Sequence, residues 1–132
     1  MTELHYPTIE HIIEFNHLAL ALIKAKKADR PSVLSRQKLS ETIEECQKTK
    51  GDVYDKATVL LVGITRKHPF ASGNRRTAFL VMVDFLYDNG VGCALKNEPE
   101  NARVLLGIRE DFYTREHIKE WIKHGKIHPF QR

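Results

Sequence analysis

Apolar side chains in this chain recur at helical rather than alternating spacing. Over residues 8–24 they fall at Ile9, Ile12, Ile13, Phe15, Leu18, Leu20, Leu22 and Ile23, close to the stripe an α-helix lays against a core. Thr8, just after Pro7, predicts an N-cap. Residues 28–32 break the stripe and read as a loop. A second helix is expected at about 36–48, capped by Ser35, with Gly51 beyond its end. Asp52 opens a third through Tyr54, Ala57, Leu60, Leu61 and Ile64. That helix should stop before Pro69, because the residue ahead of a proline is biased away from helical torsions. A fourth should run from Gly73 or Asn74 to Tyr87, with Asn89-Gly90 ending it. It is apolar on almost every side, which predicts a central, buried helix. A fifth begins near Asn97 or Pro99 and carries Ala102, Val104, Leu105 and Leu106. A sixth follows Thr114 with Ile118, Trp121 and Ile122. Residues 91–95 are the best candidate for β-structure. The pattern therefore predicts an all-α fold, a compact bundle of about six helices in one domain, 1–132.

Composition agrees with that and narrows little else. With 42% apolar and 29% charged residues in 132, the chain has enough apolar surface for one core and is not of disordered type. No apolar run approaches the roughly 20 residues that span a bilayer. The first five residues lack a basic region followed by an apolar one, so neither a signal peptide nor a membrane is expected and the cytoplasm is the expected location. Cys46 and Cys93 form no Cys-x-x-Cys pair and are expected as reduced, packed thiols. The net charge of +4 favours an anionic partner without identifying one.

One segment carries candidate chemistry: His68-Pro69-Phe70-Ala71-Ser72-Gly73-Asn74-Arg75-Arg76-Thr77-Ala78. It is a short loop of small residues leading into the most apolar helix. The first turn of a helix has amides without intrahelical partners, and its dipole makes that end positive. Arg75 and Arg76 add cations where a helix prefers acids, an arrangement that suits a bound phosphate. His68, just ahead, is a residue type that exchanges protons near neutral pH. The residues alone also allow a second reading: a tight interhelical turn in which His68 caps, Pro69 and Phe70 pack, and the arginines are solvated.

The same stretch resembles the signature of the Fic/Doc superfamily: His-Pro-Phe, any residue, Asp or Glu, Gly or Ala, Asn, Gly or Lys, Arg. His68, Pro69, Phe70, Gly73, Asn74 and Arg76 match, and Arg76-Thr77-Ala78 resembles the ending of Doc-type members. Residues 52–57 and 85–90 resemble the family's approach and exit. The resemblance implies that His68 is a general base for a hydroxyl of a target protein. It implies that Phe70 is a buried anchor, that Gly73 and the following amides form an anion hole, and that Asn74 and Arg76 contact phosphate. Arg75 stands where AMP-transferring members have glycine and Doc members have lysine. This implies a reversed ATP, with transfer of the γ-phosphate to a translation elongation factor and growth arrest. Ser72 stands where the family carries the carboxylate that holds Mg²⁺. ATP and Mg²⁺ are the implied cofactors. Ser40 and Glu44 have the spacing of the family's inhibitory motif, but Glu45 follows where Gly or Asn belongs, so a separate antitoxin chain is implied. No DNA partner is expected. The alternatives are AMP transfer, a non-catalytic binding or regulatory protein, and a small basic ribonuclease.

The remaining histidines show no ligand set. His117 and His124 are seven apart, and His5, His11, His17 and His128 are isolated. Trp121 is expected in the core. Lys119, Lys123, Lys126 and Arg132 are expected as a basic face, either solvated or meeting RNA.

Overall fold

A computed structural model describes residues 3–23, 31–96 and 98–131. Six helices follow one another in these residues: α1 Ile9–Ile23, α2 Arg36–Lys48, α3 Val53–Lys67, α4 Asn74–Asp88, α5 Asn101–Arg109 and α6 Arg115–His124. Helices α1, α2, α3 and α6 start where a side chain satisfies their first amides, whereas α4 and α5 have no side-chain cap. Thr8 Oγ1 accepts from His11 N at 3.1 Å, and Ser35 Oγ accepts from Lys38 N at 3.2 Å. Asp52 and Asp55 form a reciprocal capping box at the head of α3, and Thr114 and His117 do the same for α6. The all-α expectation is met. Residues 91–95 form no strand, because their amides bond to α4 and α6 instead: Val91 N to Leu86 O at 3.0 Å and Ala94 N to Ile122 O at 3.2 Å. Helix α5 begins later than the proposed Pro99, since residues 98–100 form tight turns first; Asn97 and residues 28–30 of the proposed loop lie outside the described residues.

Helix α3, not α4 alone, is the central element. It packs against α2, α4, α5 and α6, and every residue from Lys56 to Thr65 is buried. Gly63 permits the approach of α2: a Cβ there would lie 2.6 Å from Thr42 Cγ2. Helix α4 contributes Ala78, Phe79, Val81, Met82, Phe85 and Leu86 to the same core, and α1 covers α4 from one side. The buried face of α1 is Ile12, Asn16 and Ala19, whereas Leu18 and Leu22 are exposed. They lie off the face that the helical repeat turns inward, so the sequence stripe was wider than the packed one. Trp121 is in the core as expected.

Several polar residues are structural. Cys46 and Cys93 are unpaired, and burial pushes the Cys46 thiol up to about 12, leaving a protonated packing group. Lys119 is half-buried and paired with Asp55 at 3.1 Å and Asp52 at 3.6 Å, and Lys123 lies over the Tyr54 ring. The basic face is thus partly consumed by α3. Its Arg132 lies outside the described residues. His117 serves the α6 cap and packs edge-on against His128, and His124 pairs with Glu120. No three potential metal-ligating side chains converge among the described residues.

Lys56 is buried on α3 with its ammonium donating to the carbonyls of Cys46, Gln47 and Thr49 at 3.1, 3.0 and 2.8 Å. Thr49 caps α2 by donating its N–H and its hydroxyl to Glu45 O. Lys56 satisfies the later carbonyls that this cap does not reach, which joins α2 to α3. A Lys56→Met substitution keeps the stem and leaves these carbonyls unsatisfied. The expected loss is about 3 kcal/mol of unfolding free energy, measured by urea denaturation against the parent protein.

Candidate phosphate-binding site

The reversal between α3 and α4 is made in six residues, 68–73, and each is fixed by a neighbour. Helix α3 ends as His68 turns into the left-handed region, φ 54° and ψ 58°. Few side-chain residues adopt that conformation, histidine more readily than most. Pro69 cannot extend the helix ladder. Phe70 is wholly buried, which stabilises the loop by about 2–3 kcal/mol. Its backbone forms an isolated antiparallel bridge with Val33. The segment ahead of α2 holds the loop along this edge. Leu34 N and Ser35 N donate to Pro69 O at 2.8 and 3.2 Å, and Ala71 N donates to Ser32 O at 3.0 Å.

The side chain of Asn74 closes the turn from the inside. Its Oδ1 accepts from Phe70 N at 3.0 Å, and its Nδ2 donates to Phe70 O at 2.8 Å. These two backbone bonds leave only one way to orient the amide. The second Nδ2 hydrogen therefore meets His68 Nδ1, 3.0 Å away, with the ring nitrogen as acceptor. A neutral His68 in this geometry carries its proton on Nε2.

Helix α4 then starts from Gly73, at φ 78°, with no side-chain cap and no acidic residue in its first turn. A Cβ at Gly73 would be strained by that torsion and would press against Leu20 at 3.1 Å. The first-turn amides are aimed out of the helix end, where the dipole is positive. Arg75 is exposed beside them. Arg76 is half-buried, and its Nε is enclosed without a hydrogen-bond partner. Neither arginine is in an ion pair among the described residues. His68 is exposed at the same place. The helix start offers an anion its first-turn amide donors, with two arginines in that turn and an exposed imidazole at the head of the loop before it.

The structure places the expected site residues along the loop 68–73 and the first turn of α4, and two of them differ in detail from the expectation. The Asn74 side chain, expected on phosphate, has both amide hydrogens committed to the loop and is buried, so its backbone N–H is what remains for a ligand. Ser72 offers a neutral hydroxyl, and its carbonyl already accepts from Asn16 Nδ2 at 2.9 Å. A hard divalent cation favours anionic oxygen ligands, and this loop supplies guanidinium groups in their place, so its donor set does not fit a protein-held Mg²⁺. Asn16 and residues 32–35 are the parts of the site missed in the sequence. The signal for Asn16 was there: a lone amide at helical spacing from Ile9, Ile12, Ile13 and Ala19, on the face that packs inward.

Comparison with known proteins matches this architecture. A family model described as Fic/DOC family matches residues 6–86, from ahead of α1 to near the end of α4, and so contains the whole loop. The chain is also similar to a curated protein of Mycolicibacterium smegmatis named Toxin Doc, 37% identical over 54 residues. That match covers 41% of this chain and 42% of the relative, so the chain spans about two fifths of the length of the protein it matches. With a match over more than half its length that includes the His68 loop and the start of α4, the chain belongs to the Fic/Doc family.

Proposed function

We propose that this chain is a Doc-like toxin that transfers the γ-phosphate of ATP to a hydroxyl of a target protein, a translation elongation factor. We further propose that it acts inside the cell and is held in check by a separate antitoxin chain. The observation that carries the reading is the uncapped, cationic start of α4 beside His68. A helix end with two unpaired arginines gains most from a polyanion. Similarity to a protein named Toxin Doc supports the toxin class. Arg75 supports phosphate over AMP transfer, because a long planar cation occupies the place where glycine would leave room for the α- and β-phosphates.

In the proposed step the target hydroxyl oxygen bonds to the γ-phosphorus, the bond from that phosphorus to the β–γ bridging oxygen breaks, and ADP leaves. The hydroxyl proton goes to His68. Arg75, Arg76 and the amides from Gly73 onward hold the phosphate oxygens and take up the developing charge. The Asn74 contact sets a condition on this step. With Nδ1 accepting from Asn74, the ring offers a proton from Nε2 rather than a lone pair. To take a proton at Nε2, the ring must carry its own on Nδ1 and release Asn74. Free His68 is therefore a phosphate donor first, and becomes a base when ligands displace that bond.

Ser72 favours a second reading, in which the chain binds ATP and does not transfer phosphate. Its neutral hydroxyl stands where the resemblance puts the cation's carboxylate, which weakens the hold of the loop on a divalent cation beside the nucleotide.

Two measurements follow. Ring ¹⁵N shifts of His68 in the neutral, ligand-free protein should show Nδ1 without a proton and Nε2 with one; the opposite tautomer would refute the Asn74 assignment. Intact-mass spectrometry of a purified elongation factor incubated with the protein and ATP should show a phosphate-sized gain. His68→Ala should slow that gain about 10²- to 10⁴-fold, and Arg75→Gly should shift the product toward an AMP-sized gain. ATP binding without any mass gain would select the second reading, and an absence of both would reject the nucleotide reading altogether.

A further inference from the structure

Asn16 lies on α1, far in sequence from the loop, and is 1% exposed. Its Nδ2 donates to Ser72 O at 2.9 Å and to Thr77 Oγ1 at 3.1 Å. Its Oδ1 is also buried and has no hydrogen-bond partner. A buried orphan acceptor costs about 1–3 kcal/mol, so an apolar residue of similar size would serve α1 packing better. What the amide gives in return is control of one peptide plane. In a trans peptide the C=O and the following N–H point in opposite directions. Holding Ser72 O toward α1 therefore turns the Gly73 N–H away from α1, toward the open start of α4. That N–H has no acceptor among the described residues. The bond to Thr77 fixes the same amide to the first turn of α4, so the loop peptide and the helix end are held by one side chain.

We propose that Asn16 is a positioning residue for the anion hole: it locks the Ser72–Gly73 peptide so that the Gly73 amide faces a bound phosphate oxygen. Left free, this peptide could rotate and present the Ser72 carbonyl, an acceptor, to the anion. Gly73, at φ 78°, has the conformational freedom for that rotation, and the Asn16 bond removes it. The inference rests on the phosphate-site reading above and adds to it a residue outside the loop.

The test is amide NMR of the ¹⁵N-labelled chain titrated with ATP, together with calorimetric affinity and thermal melting. In the parent protein, the Gly73 amide should exchange quickly with solvent when free. ATP should shift its resonance and slow that exchange. Asn16→Ala should bind ATP about tenfold more weakly, with the Gly73 shift lost, at a temperature where the melt shows it folded. Thr77→Val removes the other acceptor of the same amide but leaves the Ser72 bond. It should lower the melting temperature while keeping parental affinity and the Gly73 shift. Parental affinity and an unchanged Gly73 shift in Asn16→Ala would overturn the positioning role and leave the phosphate reading intact. A parent protein whose Gly73 amide ignores ATP would bring down both. Should Asn16→Ala not fold, exchange in the parent protein decides: a Gly73 amide protected without ATP points inward and refutes the inference, and a fast-exchanging one supports it.

Discussion

The amide of Asn74 makes the three contacts on which the site depends. The chain must reverse between α3 and α4 within six residues, and a reversal that tight leaves backbone groups that neither helix can satisfy. Asn74 takes both the N–H and the C=O of Phe70 and reaches His68 with its remaining hydrogen. Phe70 can be fully buried because its polar backbone has these partners and Val33 alongside. The His68 ring is placed by the same amide, so an anchor in the core and a group at the surface share one fastening. That coupling explains why a left-handed histidine persists here: the strain of about 1–3 kcal/mol usual at such sites is offset by contacts on both sides of it.

Charge at the start of α4 runs against what helix stability alone would select. An acid in the first turn contributes about 0.3–1 kcal/mol, and this helix has none, with Arg75 and Arg76 in the first turn instead. The other helix ends show that the chain has the usual solutions at its disposal. Asp52 with Asp55, Thr114 with His117, and Ser35 all cap conventionally. Only α4, whose start lies beside His68, combines a glycine entry, no side-chain cap and two cations. Helix α2 also begins with cations, Arg36 and Lys38, but has the Ser35 cap. The combination at α4 is therefore local, and it coincides with a loop held by Val33, Asn74 and Asn16. An exception of that kind is expected where function outweighs stability.

Much of this was legible in the sequence because helix caps and proline and glycine breaks act locally. Ser35, Asp52, Thr114, Pro69 and Asn89-Gly90 each mark a boundary within a residue or two of where it falls. Phe70 and the α4 start were legible as well, from the motif and the apolar run that follows it. What could not be read was pairing across the chain. Residues 32–35 look like an ordinary lead-in to α2, and only the folded arrangement brings their backbone to Pro69 and Ala71. The Asn74 side chain was assigned outward to a phosphate because its spacing says nothing about the turn that folds it back. The apolar stripe of α1 was counted too wide, taking in the exposed Leu18 and Leu22, and the residue that mattered on its buried face was the polar one.

Ser72 and Arg75 make most sense together. A loop that carries a carboxylate and a bound divalent cation delivers part of the charge a nucleotide needs through a mobile ion. This loop and the first turn after it carry a neutral hydroxyl and two arginines, so their positive charge is covalently attached to the chain. Arginine recognises phosphate through paired, directional hydrogen bonds, which a spherical ion does not impose. Under the proposed reading, selection among phosphate groups shifts from metal geometry to the guanidinium planes and the amides of α4. Those amides are only as well aimed as the peptide plane before them, and that plane is held from outside the loop by α1. The specificity of the site therefore depends on the packing of α1 against α4 as much as on the residues of the loop itself.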